Sequence, residues 1–312
     1  VMNESLIWCG VDVAKNSLSI SLNQQLFEVA NSTSGRQRLV ERLRGMAAPV
    51  QVVCEASGGY EQPLVKRLQK AGFAIAVVEP ARIRAFAKAA GIRAKTDPID
   101  AAVIERFGRL IGPLAAPIPT EVESRLRELT RRRAQLRDLL TLESNQLAHL
   151  QDSLLRRQAK QLCSKVEKQI VQIEQELKKL VAEHQGLQTK AQTLEEVSGV
   201  GFLTAVTLLS EMPELGSIAR GQAAALAGVA PYNQQSGNWE GARRIRGGRS
   251  AVRRALYMAA LVGSRSNPIL KAVYQRLRDN GKPPKVALTA LMRKLIIHLN
   301  ALLKNLRLDL AG

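Results

Sequence analysis

Four acids stand where a carboxylate can do chemistry. Asp12 ends an apolar strand-like run as Gly10-Val11-Asp12, and Glu55 ends another as Val52-Val53-Cys54-Glu55. A carboxylate at a strand end is presented beside a sheet rather than buried within it. Asp97 and Asp100 are three residues apart at the start of a helical segment, so they share a face. Pro98 suits the first turn of that helix, and acids are favoured near its N-terminus. Like charges brought together are unfavourable without a cation or a proton. Four hard oxygen donors from three elements match one or two magnesium ions, which take carboxylates together with water and phosphate oxygens. Two such ions can clamp the attacking and leaving oxygens of a phosphoryl transfer. Each acid alone reads as a turn or capping residue. The four in this order read as a metal-binding cluster.

The charge of the chain points to the substrate class. Its 312 residues carry 46 Lys and Arg against 27 Asp and Glu, a formal net charge of +19. A chain this basic attracts polyanions, and phosphate neutralisation is the commonest use of such a field; a ribosome-associated or merely basic protein shares that property. The basic residues are concentrated. Arg243, Arg244, Arg246, Arg249, Arg253 and Arg254 fall within twelve positions, interleaved with Gly241, Gly247 and Gly248. Arginine forks match phosphate oxygens, so this loop is expected to contact nucleic acid. Lys282 and Lys285, then Arg293 and Lys294, extend the basic character. The Ser198–Gly201 turn resembles the glycine turn of helix-hairpin-helix DNA binders, whose backbone N–H groups meet a phosphate. Aromatic residues make up only 4 %, so base stacking is not the main binding device.

These groups need elements to position them. Residues 1–115 read as α/β: three short strands in quick succession with turns near Lys15–Asn16 and Asn23–Gln25, then a helix from Ser34, a buried strand 51–55, a helix 61–71, a buried strand 74–78 and two further helices. The order β-β-β-α-β-α-β-α matches a ribonuclease-H-like (RuvC-like) domain, in which the strands bearing Asp12 and Glu55 are neighbours. Residues 116–195 are expected to form a long helical coiled-coil linker or helical hairpin, with apolar residues on a 3-4 spacing and a break near Arg156–Gln161. It would set distance or make a dimer seam. Residues 196–312 read as a mainly α-helical domain holding the arginine-rich loop.

Other classes fit less well. Cys9, Cys54 and Cys163 are too few and too scattered for a zinc finger or a disulfide framework, and the first two sit in apolar runs where a buried reduced thiol is expected. No signal peptide and no run of about 18 apolar residues is evident, so a cytoplasmic protein without membrane contact is expected. The three histidines are dispersed. Tyr257 after the arginine cluster leaves room for a tyrosine recombinase, but that class also needs a nearby histidine.

Three segments carry a family resemblance: Gly10-Val11-Asp12-Val13-Ala14-Lys15, Cys54-Glu55-Ala56-Ser57-Gly58-Gly59-Tyr60 and Lys95-Thr96-Asp97-Pro98-Ile99-Asp100-Ala101. With Val197–Gly201, Leu226–Pro231 and Arg253–Met258, they resemble the DEDD transposases of bacterial insertion sequences, the IS-one-ten family with its IS-eleven-eleven branch and Piv invertase relatives. The resemblance implies a RuvC-like domain joined by a coiled coil to a transposase domain. Asp12, Glu55, Asp97 and Asp100 would be the DEDD acids that hold Mg2+, and Ser236, in Gln235-Ser236-Gly237, the nucleophile that becomes covalently linked to DNA. It further implies donor and target DNA as substrates, a structured non-coding guide RNA (bridge or seeker RNA) and a homo-oligomer, dimer or tetramer, acting at the bacterial nucleoid. Two other readings share the acids and the basic surface: a RuvC-like structure-specific nuclease using water, and a non-catalytic nucleic-acid-binding protein.

Overall fold

The computed structural model describes residues 6–92, 96–115, 117–236 and 239–309, with Asp97, 233–236, 239–243 and 308–309 described by backbone alone. It divides into two compact units, Val1–Ile118 and Pro119–Gly312.

The first unit is a mixed sheet between two helical layers. Its elements are β1 (Ile7–Val13), β2 (Ser17–Leu22), β3 (Gln25–Ala30), α1 (Thr33–Arg44), β4 (Val50–Glu55), α2 (Gln62–Lys70), β5 (Ala74–Val78), α3 (Pro80–Ala89) and α4 (Asp97–Ile111). The strand order is β3-β2-β1-β4-β5, with the first three antiparallel and β4 and β5 parallel to β1 and to each other. This arrangement is compatible with the ribonuclease-H-like reading. Asn23 and Gln24 join β2 to β3 with φ of 49° and 66°, the two-residue left-handed turn that matches strand twist.

Alternation assigns the two faces of the sheet. Cys9, Val11 and Val13 of β1 and Val52 and Cys54 of β4 pack with Leu39, Leu43, Leu64 and Leu68 of α1 and α2. Val53, Ala76 and Val78, with Trp8 against them, face Ile83 of α3 and Val103, Ile104 and Phe107 of α4. Both strand cysteines are fully buried, and desolvation pushes their thiols well up, so they serve as small apolar residues.

The second unit comprises α5 (Glu121–Leu147), α6 (Ser153–Ala182), α7 (Gln185–Glu195), α8 (Phe202–Glu211), α9 (Arg220–Leu226), β6 (Pro231–Ser236), β7 (Trp239–Ile245), α10 (Ser250–Ser266), α11 (Pro268–Asp279) and α12 (Pro284–Asp309). Helices α5 and α6 form a hairpin. Its reversal lies just before Asp152, whose carboxylate caps α6 by accepting from the N–H groups of Leu154 and Leu155. The sequence suggested a break at Arg156–Gln161, but that segment is continuous helix. The cap, not the charge run, ends the turn.

The two ends of the hairpin differ in packing. Leu126, Leu129, Leu177 and Val181 share the main core with α8, α10 and α12. Farther out, Leu136, Val166 and Ile170 make a small core of their own. Helix α12 is long and apolar enough to cross a membrane by length and composition, which the sequence reading did not anticipate. Leu291, Leu295, Ile296, Leu299 and Leu303 instead bury one face of it in the core, while Arg293, Lys294 and Lys304 are exposed. Its Asn300 accepts from the Gly216 N–H and donates to the Ile218 carbonyl.

The unit is mainly helical, as expected, but residues 231–245 correct the reading of its glycine- and arginine-rich segment as a loop. They form a two-stranded antiparallel ribbon, with Ser236 opposite Trp239 at its tip. The segment is short and rich in Gln, Asn, Gly and Arg, and so shows no period-two apolar signature in the sequence.

Candidate active site

Asp12 and Glu55 lie at adjacent strand ends on one face of the sheet. Val11 pairs with Cys54 in the parallel register of β1 and β4, and the next step sets Asp12 beside Glu55. Neighbouring strands run about 5 Å apart. Both acids are partly buried and belong to the same alternation as Gly10 and Val53, so they face α4 rather than α1 and α2. Both are engaged in contacts, as is Asp100.

The course of α4 carries the other two acids toward them. Gly108 sits against the Trp8 ring, and a Cβ built on it would lie 2.6 Å from Trp8 Cε3. A Cβ on Gly10 would lie 2.3 Å from both the Ala101 carbonyl oxygen and the Glu105 nitrogen. Moving along β1 from Trp8 to Gly10 is therefore moving back along α4 from Gly108 to Ala101. The same course continues from Gly10 to Asp12 and from Ala101 to the first turn of the helix. That turn contains Asp100 and, by its backbone, Asp97. No cluster of three or more metal-ligating side chains occurs among the described residues. The Asp97 side chain and Lys95 lie outside them.

Three residues that sequence reasoning missed hold this edge. Glu105 is buried at 5 % exposure and accepts from the Ser21 hydroxyl and from the Gln24 N–H, tying α4 to β2 and its turn. Asn31 donates from one amide nitrogen to the Ala14 carbonyl at 2.9 Å and the Tyr60 carbonyl at 3.4 Å, and so bridges the loops that follow the two acid-bearing strands. Glu61 accepts from the Ser57 N–H and hydroxyl and from the Gly59 N–H. Burial alone would raise the Glu61 carboxyl. The hydrogen bonds from Gln62 and the loop N–H groups outweigh it and hold the group below the usual carboxylate range. The available signal was a lone acid within an apolar or glycine-rich stretch, as in Ala101-Ala102-Val103-Ile104-Glu105 and Gly58-Gly59-Tyr60-Glu61.

The arginines of the second unit fall into two groups. Arg249 forks onto Glu214 at 2.7 and 2.8 Å and also donates to the Glu211 carbonyl, so its guanidinium is engaged internally. Burial would raise the Glu214 carboxyl, but the Arg249 fork lowers it. Arg253 donates to the Gly247 carbonyl and Arg254 meets Asp138 of α5 at 3.1 Å. Arg244 and Arg246 are exposed on and just beyond β7, as are Lys282 and Lys285 near the start of α12. The side chains of Arg243 and Ser236, and residue Gly237, lie outside the described set. Gly248, at φ 74°, crosses Gly228 so closely that a Cβ would lie 2.2 Å from the Gly228 nitrogen. This glycine serves the crossing of two backbones within the unit rather than approach to a phosphate. The Ser198–Gly201 turn likewise packs inward, with Gly199 against Ala259 and Gly263 of α10.

Comparison with known proteins gives this arrangement its class. A transposase family model, that of the DEDD transposases, matches residues 9–156, which span all four acids. A second, for the transposase IS116/IS110/IS902 family, matches residues 191–275, which include Ser236 and the arginine-rich segment. The chain is 25 % identical over 303 residues to the pilin gene-inverting proteins of Moraxella lacunata and Moraxella bovis, covering 94 % of this chain and 94 % of each relative. It is 32 % identical over 114 residues to an insertion element IS110 uncharacterized 43.6 kDa protein of Streptomyces coelicolor, covering 36 % of this chain and 28 % of that one. A mixed-sheet unit with acids along one edge, followed by a basic helical unit, is thus an enzyme of the DNA transposase and recombinase class. The chain belongs to the IS110-type DEDD transposase family.

Proposed function

We propose that the chain cuts and rejoins DNA at an edge formed by Asp12, Glu55, Asp97 and Asp100, with Ser236 as the attacking hydroxyl. The single observation that supports this most is the shared face of Asp12 and Glu55, onto which α4 descends with its N-terminal turn foremost. An all-oxygen donor set of this kind suits Mg2+. When bound, the ion supplies positive charge against a scissile phosphate.

The chain's own part is positional and nucleophilic. Asp12, Glu55, Asp97 and Asp100 hold the cation-binding edge, and exposed Arg244, Arg246, Lys282 and Lys285 bind DNA through its phosphates. Ser236 gives up its hydroxyl proton and its oxygen bonds to phosphorus. The bond from phosphorus to the 3′ oxygen breaks, and that oxygen leaves as a 3′ hydroxyl. A free 3′ hydroxyl then attacks the serine-linked phosphate, which returns the serine and rejoins the strand. The family resemblance adds a structured guide RNA that pairs with donor and target DNA, a dimeric or tetrameric assembly and action at the nucleoid. The Moraxella relatives are named for inverting a gene, an outcome that requires DNA to be cut and rejoined.

The test is adduct trapping with end-labelled DNA. The wild-type chain is expected to give a covalent protein–DNA species, while Ser236→Ala binds DNA but forms none. An adduct that persists in Ser236→Ala removes the serine, and Mg2+-dependent cleavage with no adduct in the wild type favours a nuclease using water.

A further inference from the structure

The loop after Glu55 is held more firmly than a connection requires. Glu61 closes it from below through the Ser57 and Gly59 N–H groups. Asn31 holds its far end through the Tyr60 carbonyl and ties it to Ala14, two residues past Asp12. Arg36 in turn fixes Asn31, donating to its side-chain oxygen at 2.8 Å and its backbone carbonyl at 2.9 Å. Between these anchors stands Tyr60, with 49 % of its surface exposed.

We propose that Tyr60 is a stacking platform for a DNA base beside the scissile phosphate, at the edge that carries Asp12 and Glu55. This rests on the reading of those acids as the reacting site. Three observations carry it. The Asn31 bridge puts the residue at the same end of the sheet as Asp12. The loop is already ordered, so a base that stacks there loses little by fixing the ring. The backbone before the ring is open: among the described residues, and apart from each glycine's immediate chain neighbours, no atom lies within 4 Å of where a Cβ on Gly58 or Gly59 would sit. A nucleotide can therefore approach the ring from that side without displacing a side chain. Stacking accepts any base, so the ring would hold the strand against the acids without choosing its sequence. In a chain with 4 % aromatics, one ring at the reacting edge is a local device and not a general binding surface.

The test uses the full chain and mixed-sequence single-stranded DNA in which 5-iododeoxyuridine replaces thymidine. Ultraviolet irradiation joins such a base to an aromatic ring stacked on it, and peptide mapping finds the ring. The wild type is expected to cross-link through the peptide holding Tyr60, Tyr60→Phe to keep that cross-link, and Tyr60→Ala to lose it. Strand cleavage should fall about tenfold in Tyr60→Ala and stay near wild type in Tyr60→Phe. Overall DNA affinity, dominated by phosphate contacts, should change by less than about threefold. Cross-links that bypass the Tyr60 peptide, or a Tyr60→Phe variant as impaired as Tyr60→Ala, overturn the proposal. Asp12→Asn run in parallel separates the two readings. Cleavage surviving in that variant removes the acid site, whereas cleavage lost there with no Tyr60 cross-link in the wild type removes only the platform.

Discussion

The carboxylate of Glu105 accepts a hydrogen bond from the hydroxyl of Ser21, which joins the middle of α4 to the second strand of the sheet. The same carboxylate takes the Gln24 N–H of the adjoining turn. Replacing Glu105 by Ala leaves these donors without their acceptor and is expected to destabilise the first unit by about 1–3 kcal/mol. Glu105→Gln keeps an acceptor oxygen and should lose less. Urea denaturation of the three proteins checks this, and equal midpoints would show that the buried carboxylate does not anchor the helix.

Gly10 sets how closely that helix approaches. Any side chain there meets the backbone of Ala101 and Glu105, which cannot swing aside as a side chain can. Gly10→Ala is expected to lift α4 from β1, at a cost of about 1–3 kcal/mol, and to weaken cleavage beyond its effect on folding. A Gly10→Ala protein with wild-type stability and cleavage rate would mean that the close approach is dispensable.

Much of this edge was legible because apolar runs announce buried strands. Trp8–Val11 and Val52–Cys54 each stop at an acid, and Pro98 marks a helix start between two more. The strand pairing then follows from connectivity. The internal roles of Arg249, Glu61 and Asn31 were not legible. Their partners are the Glu214 carboxylate, the N–H groups of a glycine loop and two backbone carbonyls, and no local pattern encodes such pairings. The β6–β7 ribbon escaped for a different reason, since its Gln-, Asn-, Gly- and Arg-rich strands carry no apolar alternation in the sequence.

The lowered carboxyls of Glu61 and Glu214 set an acid limit. Both are held below the ordinary value of 4.5. A depressed carboxylate contributes stability that is present above its unfolded pKa and is lost as the pH falls through its lower folded value. Stability is therefore expected to hold steady from neutral pH down to about pH 5 and to fall below that. Glu61→Gln should flatten part of the fall, because it lacks at neutral pH the stability that the charged carboxylate contributes there. A wild-type and Glu61→Gln pair with identical acid profiles in urea denaturation would contradict this.

The two groups of arginines should separate under substitution. Arg244→Ala and Arg246→Ala, at exposed sites, are expected to weaken DNA binding and to lower the salt dependence by about one unit each in the log–log slope, with stability unchanged. Arg249→Ala is expected to act chiefly on stability, because it leaves Glu214 without its fork. DNA-binding titrations at several salt concentrations, beside thermal melts, resolve the two. A salt slope lowered by Arg249→Ala but not by Arg244→Ala would reverse the assignment.

The central claim is that Asp12 and Glu55, side by side at the ends of β1 and β4, form one reacting edge with the first turn of α4. Its most direct measurement is Mg2+-dependent DNA strand cleavage by Asp12→Asn and Glu55→Gln, each checked for intact folding and DNA binding. Each variant is expected to lose about a hundredfold or more in rate while still binding DNA. Cleavage at the wild-type rate by either folded variant would contradict the account.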